Sequence, residues 1–308
     1  MKELILIGWS ILVILAVSNL FEEVWWILDL LASFRVQIAF LLIAFSAALC
    51  FYKKYILTAF GLLLGLWLVH AITDTYQYDY DKSFHSDKSV KMLSINLLSS
   101  NHEYERVKNY IERSDADFVA LVEYTPSWDY KLSAAFIETY PHQIKQIRTH
   151  NFGIAFWSKH AIESYEIFDV TDRDFPMIEA ELVIAEKALT ITSIHLENPI
   201  GMNNTLMRNH QVNQLIQRYK NHKNLVLIGD YNMTPYAHDY TRLRELLRLE
   251  ETRCDISPTF PVGLMPLGIP IDHCLVSKSI EHSCLRRGPE IGSDHFPIEI
   301  VLSLQSEN

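Results

Sequence analysis

The sequence predicts an α/β domain built on mixed β-sheet, preceded by an all-α apolar anchor. Three observations predict it. Apolar side chains crowd the first quarter of the 308-residue chain, while the remainder has the mixture of an ordinary soluble domain. From about residue 90, short strand-like apolar runs alternate with stretches of helical spacing. Several of those runs are joined by connections too short for a helical crossover, so some neighbouring strands must run antiparallel.

The anchor is read from three apolar runs of 17 to 18 residues, Leu4–Leu20, Val36–Tyr52 and Tyr55–Ile72, each close to the shortest length that spans a bilayer. The first follows Met1-Lys2 but lacks a small-x-small cleavage site, and two further runs follow at once, so it is expected to be retained rather than removed as a signal peptide. Lys2, Lys53 and Lys54 lie at one end of the runs. Glu22, Glu23 and Asp29, opposed only by Arg35, lie at the other, as does the acidic, tyrosine-rich stretch after Ile72. Basic residues stay on the cytoplasmic side. The expectation is an integral protein of the cytoplasmic membrane, residues 1–72 forming three spans, 73–88 a linker, and 89–308 a domain outside the cytoplasm. Trp25 and Trp26, with Val24, Ile27, Leu28 and Leu31, suit either a short helix lying at the interface or a loop packed on the bundle.

In the second part, Val90–Ile95, Asp117–Val122, Phe152–Trp157, Leu189–Ile194, Leu225–Ile228, Ile271–Val276 and Phe296–Leu304 read as strands. Glu103–Arg113, Thr205–Tyr219 and His238–Leu249 read as amphipathic helices. Polar residues fall at the strand ends: Asn96, Glu123, His195 and Asp230 follow their strands, whereas Asp272 and Asp294-His295 precede theirs. If the second group of strands opposes the first, all of these side chains meet along one edge. Such a set of carboxylates, imidazoles and asparagine amides offers hard oxygen donors that suit Mg²⁺ or Mn²⁺. It contains the parts needed for phosphate ester hydrolysis: a cation to draw charge from a phosphoryl oxygen, a carboxylate for water, and an imidazolium for the transition state.

Residues 1–80 hold four basic against six acidic side chains, leaving −8 of the net charge of −10 to the rest. No basic stripe appears in the sequence, which counts against tight binding of duplex nucleic acid. The four cysteines show no zinc spacing. Buried thiols are the simpler expectation, with one disulfide among Cys254, Cys274 and Cys284 left open.

The segments SINLLSSN (94–101), ADFVALVEYTP (116–126), SIHLENP (193–199), LIGDYNMTP (227–235), IPIDHCLVS (269–277) and GSDHFPI (292–298) together resemble the successive motifs of the endonuclease/exonuclease/phosphatase superfamily. The resemblance implies a four-layer α/β sandwich of two mixed sheets flanked by helices. It implies Asn96, Glu123 and Asp294 around a divalent cation. It also implies Asp230 on the attacking water, Asn232 on a phosphoryl oxygen and His295 as base or transition-state cation oriented by Asp272. His195 falls on the phosphate or the leaving oxygen. His273 is left out, because strand alternation turns it away from Asp272.

The bond type follows from that resemblance and the substrate does not. A lipid or envelope phosphate suits the anchor and the acidic charge. It also suits the loop Ser257–Pro270, whose Val262, Leu264, Met265, Leu267 and Ile269 either meet an apolar partner or, more simply, pack on the domain's own core. A membrane-anchored nuclease is the alternative, and a catalytically idle, tethered binding module a third reading.

Overall fold

The computed structural model describes residues 1–76, 89–171 and 173–304, so residues 77–88 of the expected linker lie outside the described residues. The apolar N-terminal segment forms helices α1 (Lys2–Ser18), α2 (Trp26–Ala32), α3 (Arg35–Phe51) and α4 (Tyr55–Thr73). With its 3₁₀ continuation, α1 gives an apolar helix of 20 residues; α4 gives one of 19, and both are long and apolar enough to cross a membrane. The expected second span, Val36–Tyr52, falls on α3, which passes the same test only together with α2, from which it is bent by 69°. Inside the bundle, Trp9 Nε1 donates to Ser46 Oγ at 3.0 Å, which satisfies the buried indole N–H.

The remaining chain folds into two sheets. The first contains β1 (Ser89–Asn96), β2 (Phe118–Val122), β3 (His142–Gln146), β4 (Ile154–Ser158), β11 (Glu281–His282), β12 (Arg286–Arg287) and β13 (Ile298–Ser303). The second contains β5 (Ile162–Phe168), β6 (Met177–Ile184), β7 (Lys187–His195), β8 (Leu225–Asp230), β9 (Leu249–Glu251) and β10 (Asp272–Ser277), in the order β5-β6-β7-β8-β10-β9. Both sheets are mixed: β1 pairs parallel to β2 and antiparallel to β13, and β7 pairs parallel to β8, which is antiparallel to β10.

Helices α5 (Tyr104–Ser114), α6 (Pro126–Leu132), α7 (Met202–Tyr219) and α8 (His238–Leu247) cover the outer faces. The central core is made by side chains from both sheets, including Met92, Phe118, Phe156, Ile191, Val226 and Ile300. Burying each such side chain contributes roughly 1.5–3 kcal/mol. Local signals agree with the elements: Val107, Tyr110 and Ile111 form the buried stripe of α5, and Thr125 caps α6 by accepting from the Trp128 N–H, with Pro126 at its first position. The result is the expected four-layer sandwich.

Two expectations are corrected. Cys254 and Cys284 are joined in a disulfide with Cα atoms 5.6 Å apart, whereas Cys274 is a buried thiol on β10. The pairing joins positions 30 residues apart, one after β9 of the second sheet and one between β11 and β12 of the first. The loop Ser257–Pro270 does not bury its apolar tip: Leu264 and Leu267 remain 53% and 49% exposed, and Met265 is exposed as well.

Candidate active site

Sheet registry decides where the polar strand ends go. His195 lies opposite Asp230 across the parallel β7–β8 pair, and Asp230 lies opposite Asp272 across the antiparallel β8–β10 pair. In the first sheet Asn96 closes β1 beside Val122, with Glu123 immediately after, and β13 returns antiparallel so that Asp294-His295 enters at the same end. The antiparallel condition set by the sequence is therefore met.

The backbone at these ends is unusual. Glu123 and Asn232 both have positive φ, +60° and +50°, in the left-handed region where a non-glycine residue costs about 1–2 kcal/mol. Gly229, just before Asp230, has φ +143°, and a Cβ there would overlap the Ile194 carbonyl oxygen. Only glycine lets β7 and β8 approach closely enough to place His195 beside Asp230.

The side chains form one connected cluster. Asn96 Nδ2 donates to Asp230 Oδ2 at 3.1 Å, and the Asn232 N–H donates to Asp230 Oδ1 at 2.9 Å. His195 Nε2 and His295 Nε2 lie 3.6 and 3.7 Å from Asp230 Oδ2. His295 Nδ1 sits 2.9 Å from Asp272 Oδ2. Ser293 ties the two halves together: its hydroxyl donates to the Asn96 carbonyl at 2.7 Å and accepts from the His295 N–H at 3.0 Å. All of these residues except Asn232 are buried.

Burial by itself would push the His295 imidazole down, but Asp272 and Asp230 hold it up to about 10, so it is an imidazolium at neutral pH. His195 behaves oppositely. Burial pushes it below the ordinary imidazole value, with Asp230 only partly offsetting this, so it is neutral. Burial raises Asp230 above the ordinary carboxyl range, with His295 opposing. Two imidazoles held in different protonation states around one carboxylate can supply both a fixed cation and a neutral acceptor.

Two sets of donors could hold a metal. Asp230, Asp272 and His295 each offer one atom, all within 4.8 Å of one another. Within that group His295 and Asp272 are already bonded to each other. Glu123 and Asp294 differ. Glu123 Oε2 accepts from the Ser99 N–H at 2.8 Å, and Glu123 adds to burial in raising the Asp294 carboxyl, against the opposing charge of His295. Among the described residues, the buried Asp294 Oδ1 has no hydrogen-bond partner. An orphaned carboxylate oxygen beside a second carboxylate fits a hard divalent cation. Asn96 spends its Nδ2 on Asp230 and accepts from the Leu98 N–H at 3.0 Å, which leaves one lone pair on Oδ1.

Asn232 Nδ2 donates to the Leu196 carbonyl at 2.8 Å. His273 is turned away as expected, its Nε2 2.9 Å from the Met233 carbonyl oxygen and its Nδ1 accepting from Arg253 Nε at 3.2 Å. Sequence reasoning missed the rings that wall the two site histidines, Phe152 on His195 at 4.9 Å and Phe260 on His295 at 4.8 Å. It also missed Arg208, whose Nη1 donates to the Asn232 carbonyl at 3.4 Å. None of the three carries a local pattern, because each reaches the site through tertiary packing.

The Endonuclease/Exonuclease/phosphatase family model matches residues 93–295. The chain belongs to this family. Its members hydrolyse phosphate esters, and the matched span runs from β1 to His295 and so contains every side chain of the cluster. No curated protein matches the chain significantly.

Among solved structures, the human Nocturnin catalytic domain is 15% identical, with a TM-score of 0.58 over 71% of this chain and 95% of its own. A humanized D. rerio TDP2 is 14% identical, with a TM-score of 0.57 over 70% and 100%. The endonuclease/exonuclease/phosphatase family protein from Leptotrichia buccalis is 16% identical, with a TM-score of 0.57 over 70% and 99%. At these identities the likeness is one of fold.

Proposed function

We propose that this chain is a divalent-metal-dependent hydrolase of phosphate esters, anchored in the cytoplasmic membrane by residues 1–72 and acting on a lipid or envelope phosphate at the outer face. The observation that carries the hydrolytic part is the pairing of an imidazolium, His295, with a carboxylate pair, Glu123 and Asp294, that has an orphaned oxygen.

Glu123 and Asp294, with Asn96, are the residues that would hold Mg²⁺ or Mn²⁺. Bound there, it would draw charge from a phosphoryl oxygen. Asp230 orients and deprotonates the attacking water, its raised proton affinity suiting a base that works near neutrality. The His295 imidazolium, fixed by Asp272, meets the charge that builds on the phosphoryl group. Asn232 binds a phosphoryl oxygen once its amide leaves the Leu196 carbonyl, and His195 contacts the phosphate or the leaving oxygen.

The membrane part rests on how the bundle meets the catalytic domain. The N-terminal end of α3 meets the catalytic domain through Gln37 and Gly268, the residues after α4 through Thr75 and Arg244, and the chain just after α1 sits beside Arg35 through Asn19, whereas Lys2, Lys53 and Lys54 lie at the opposite helix ends. Positive-inside topology then favours an extracytoplasmic site. Arg35, the dissenting charge, is paired with Glu22 at 3.3 Å, and its Nε donates to Asn19 Oδ1 at 3.0 Å. The Cys254–Cys284 disulfide also suits an oxidising compartment.

Gln37, at the start of α3, donates to the Gly268 carbonyl at 2.8 Å. This contact sets the exposed tip Leu264–Leu267 beside the apolar bundle. The same loop reaches the site through Phe260 on His295 and through the Val262 N–H, which donates to the Asp294 carbonyl at 2.8 Å. An apolar loop level with a membrane helix and bonded to the catalytic rim favours a substrate presented by the bilayer.

A nuclease is the second reading. A structural neighbour, D. rerio TDP2, is complexed with single strand DNA product, whereas the net charge of this chain is −10. The test uses the full chain in lipid nanodiscs with Mg²⁺ or Mn²⁺, phospholipid and plasmid DNA as substrates, and His295→Ala as blank. Metal-dependent lipid hydrolysis is expected. A combined Leu264→Ser, Met265→Gln, Leu267→Ser variant should lose it while still cleaving a water-soluble phosphodiester. Cleavage of DNA alone would replace the lipid reading with the nuclease one.

A further inference from the structure

Asp230 ends β8 and the loop after it carries Asn232, and the N-terminal bundle grips that loop at two independent points. The first is Arg208 on α7, only 2% exposed. Its Nη2 donates to Asp29 Oδ2 on α2 at 2.7 Å and to Asn209 Oδ1 at 3.0 Å, while its Nη1 reaches the Asn232 carbonyl. The second is Tyr236. Its ring is buried in the bundle's own apolar cluster with Trp9, Ile38 and Leu68. Its hydroxyl donates to the Ser33 carbonyl at 3.1 Å, and the Arg35 guanidinium sits 5.3 Å from the ring centre. The first contact falls on α2 and the second on the elbow that follows it, where α2 and α3 bend by 69°.

We infer that the N-terminal bundle does more than tether the enzyme: through Asp29–Arg208 and Ser33–Tyr236 it sets the position of the loop Asp230–Ala237. Three features of the loop make this outside clamp consequential. Asn232 has a left-handed backbone (φ +50°) that neighbouring structure must enforce. Its N–H fixes one oxygen of Asp230. On the interior side, the loop is held by the Met233 carbonyl against His273. A loop fixed from inside at Met233 and from outside at Asn232 and Tyr236 has its carboxylate oriented by the bundle.

Arg208 also has a reason to stay in place. A nearly buried guanidinium separated from its bonded carboxylate keeps only the more distant charge of Asp239, so the contact resists being pulled apart. Asp29, Arg208 and Tyr236 are thus positioning residues, and disengaging α2–α3 from the domain would lower turnover with no change at the reacting groups themselves.

The inference goes beyond the hydrolytic reading and depends on it only for its kinetic arm. The test compares the full wild-type chain with Asp29→Asn, Asp29→Glu and Tyr236→Phe in nanodiscs. One readout is amide hydrogen exchange of the peptide covering 231–237. The other is the kcat and KM of bis(p-nitrophenyl) phosphate hydrolysis with Mg²⁺.

Faster exchange in 231–237 is expected for Asp29→Asn and Tyr236→Phe, with kcat lowered roughly ten- to a hundredfold. KM should stay near wild type, and Asp29→Glu should restore most of both readouts. Tyr236→Phe keeps the buried ring, so it remains informative if Asp29→Asn folds poorly. Unchanged exchange in 231–237 would overturn the inference, as would faster exchange at unchanged kcat. If the wild type cleaves none of the phosphate esters offered, the hydrolytic reading fails and the exchange measurement alone decides the clamp.

Discussion

Replacing Asp272 by asparagine isolates one charge in an otherwise intact site. The remaining contacts of Asp272 are made by its backbone: its N–H donates to Thr259 Oγ1 at 3.1 Å and its carbonyl accepts from Arg253 Nη2 at 2.7 Å, and an amide of the same shape keeps both. What is lost is the charge-assisted bond between Asp272 Oδ2 and His295 Nδ1, 2.9 Å long and buried on both sides. Such a bond contributes about 1.5–3 kcal/mol. At about 1.4 kcal/mol per factor of ten, kcat should fall roughly ten- to a hundredfold.

The sign of the pH effect follows from the direction of the shift. Burial would lower His295, and Asp272 and then Asp230 raise it to about 10, so the imidazolium is present below that value and lost as pH rises through it. With Asp272→Asn the alkaline limb of the kcat profile should move to lower pH, toward the ordinary imidazole range. The assay is steady-state hydrolysis of a soluble phosphodiester at saturating Mg²⁺ across the alkaline range, wild type against variant. An alkaline limb that stays in place, or a loss confined to KM, would refute the assignment of His295 as the transition-state cation.

Two further outcomes are expected. Mg²⁺ or Mn²⁺ at about a hundred times its Kd should stabilise the wild type by about 2.7 kcal/mol in thermal unfolding. Glu123→Gln should lose most of that gain together with turnover, and an equal metal-induced shift in the variant would remove Glu123 from the metal site. Removing the disulfide with Cys254→Ser and Cys284→Ser should cost about 3–4 kcal/mol, given a closed loop of 30 residues. A change in the urea midpoint worth less than about 1 kcal/mol would show that the segments are held by packing alone.

Much of the fold was legible because the strongest strands are buried on both faces and read as unbroken apolar runs, such as Phe118–Val122 and Leu225–Ile228. The strand β5 (Ile162–Phe168) was not legible: it is an edge strand with a mostly exposed, polar sequence, and only its pairing with β6 makes it a strand. The candidate site was legible as types and positions, because Asn96, Glu123, His195, Asp230, Asp272 and His295 all sit where an apolar run ends or begins. The exposure of Leu264 and Leu267 was not, since an apolar loop reads the same whether it is buried or presented to a partner.

The sequence by itself determined the apolar bundle, the mixed sheets and the residues at the strand ends, because periodicity and chain reach act locally. Only the tertiary structure decided what those residues do to one another. That His295 is an imidazolium and His195 neutral depends on which carboxylates each buried ring meets. That Asp29 and Tyr236 clamp the catalytic loop depends on how the bundle seats against α7 and α8. Charge and burial act through space, and in this chain bonded partners lie up to 231 residues apart.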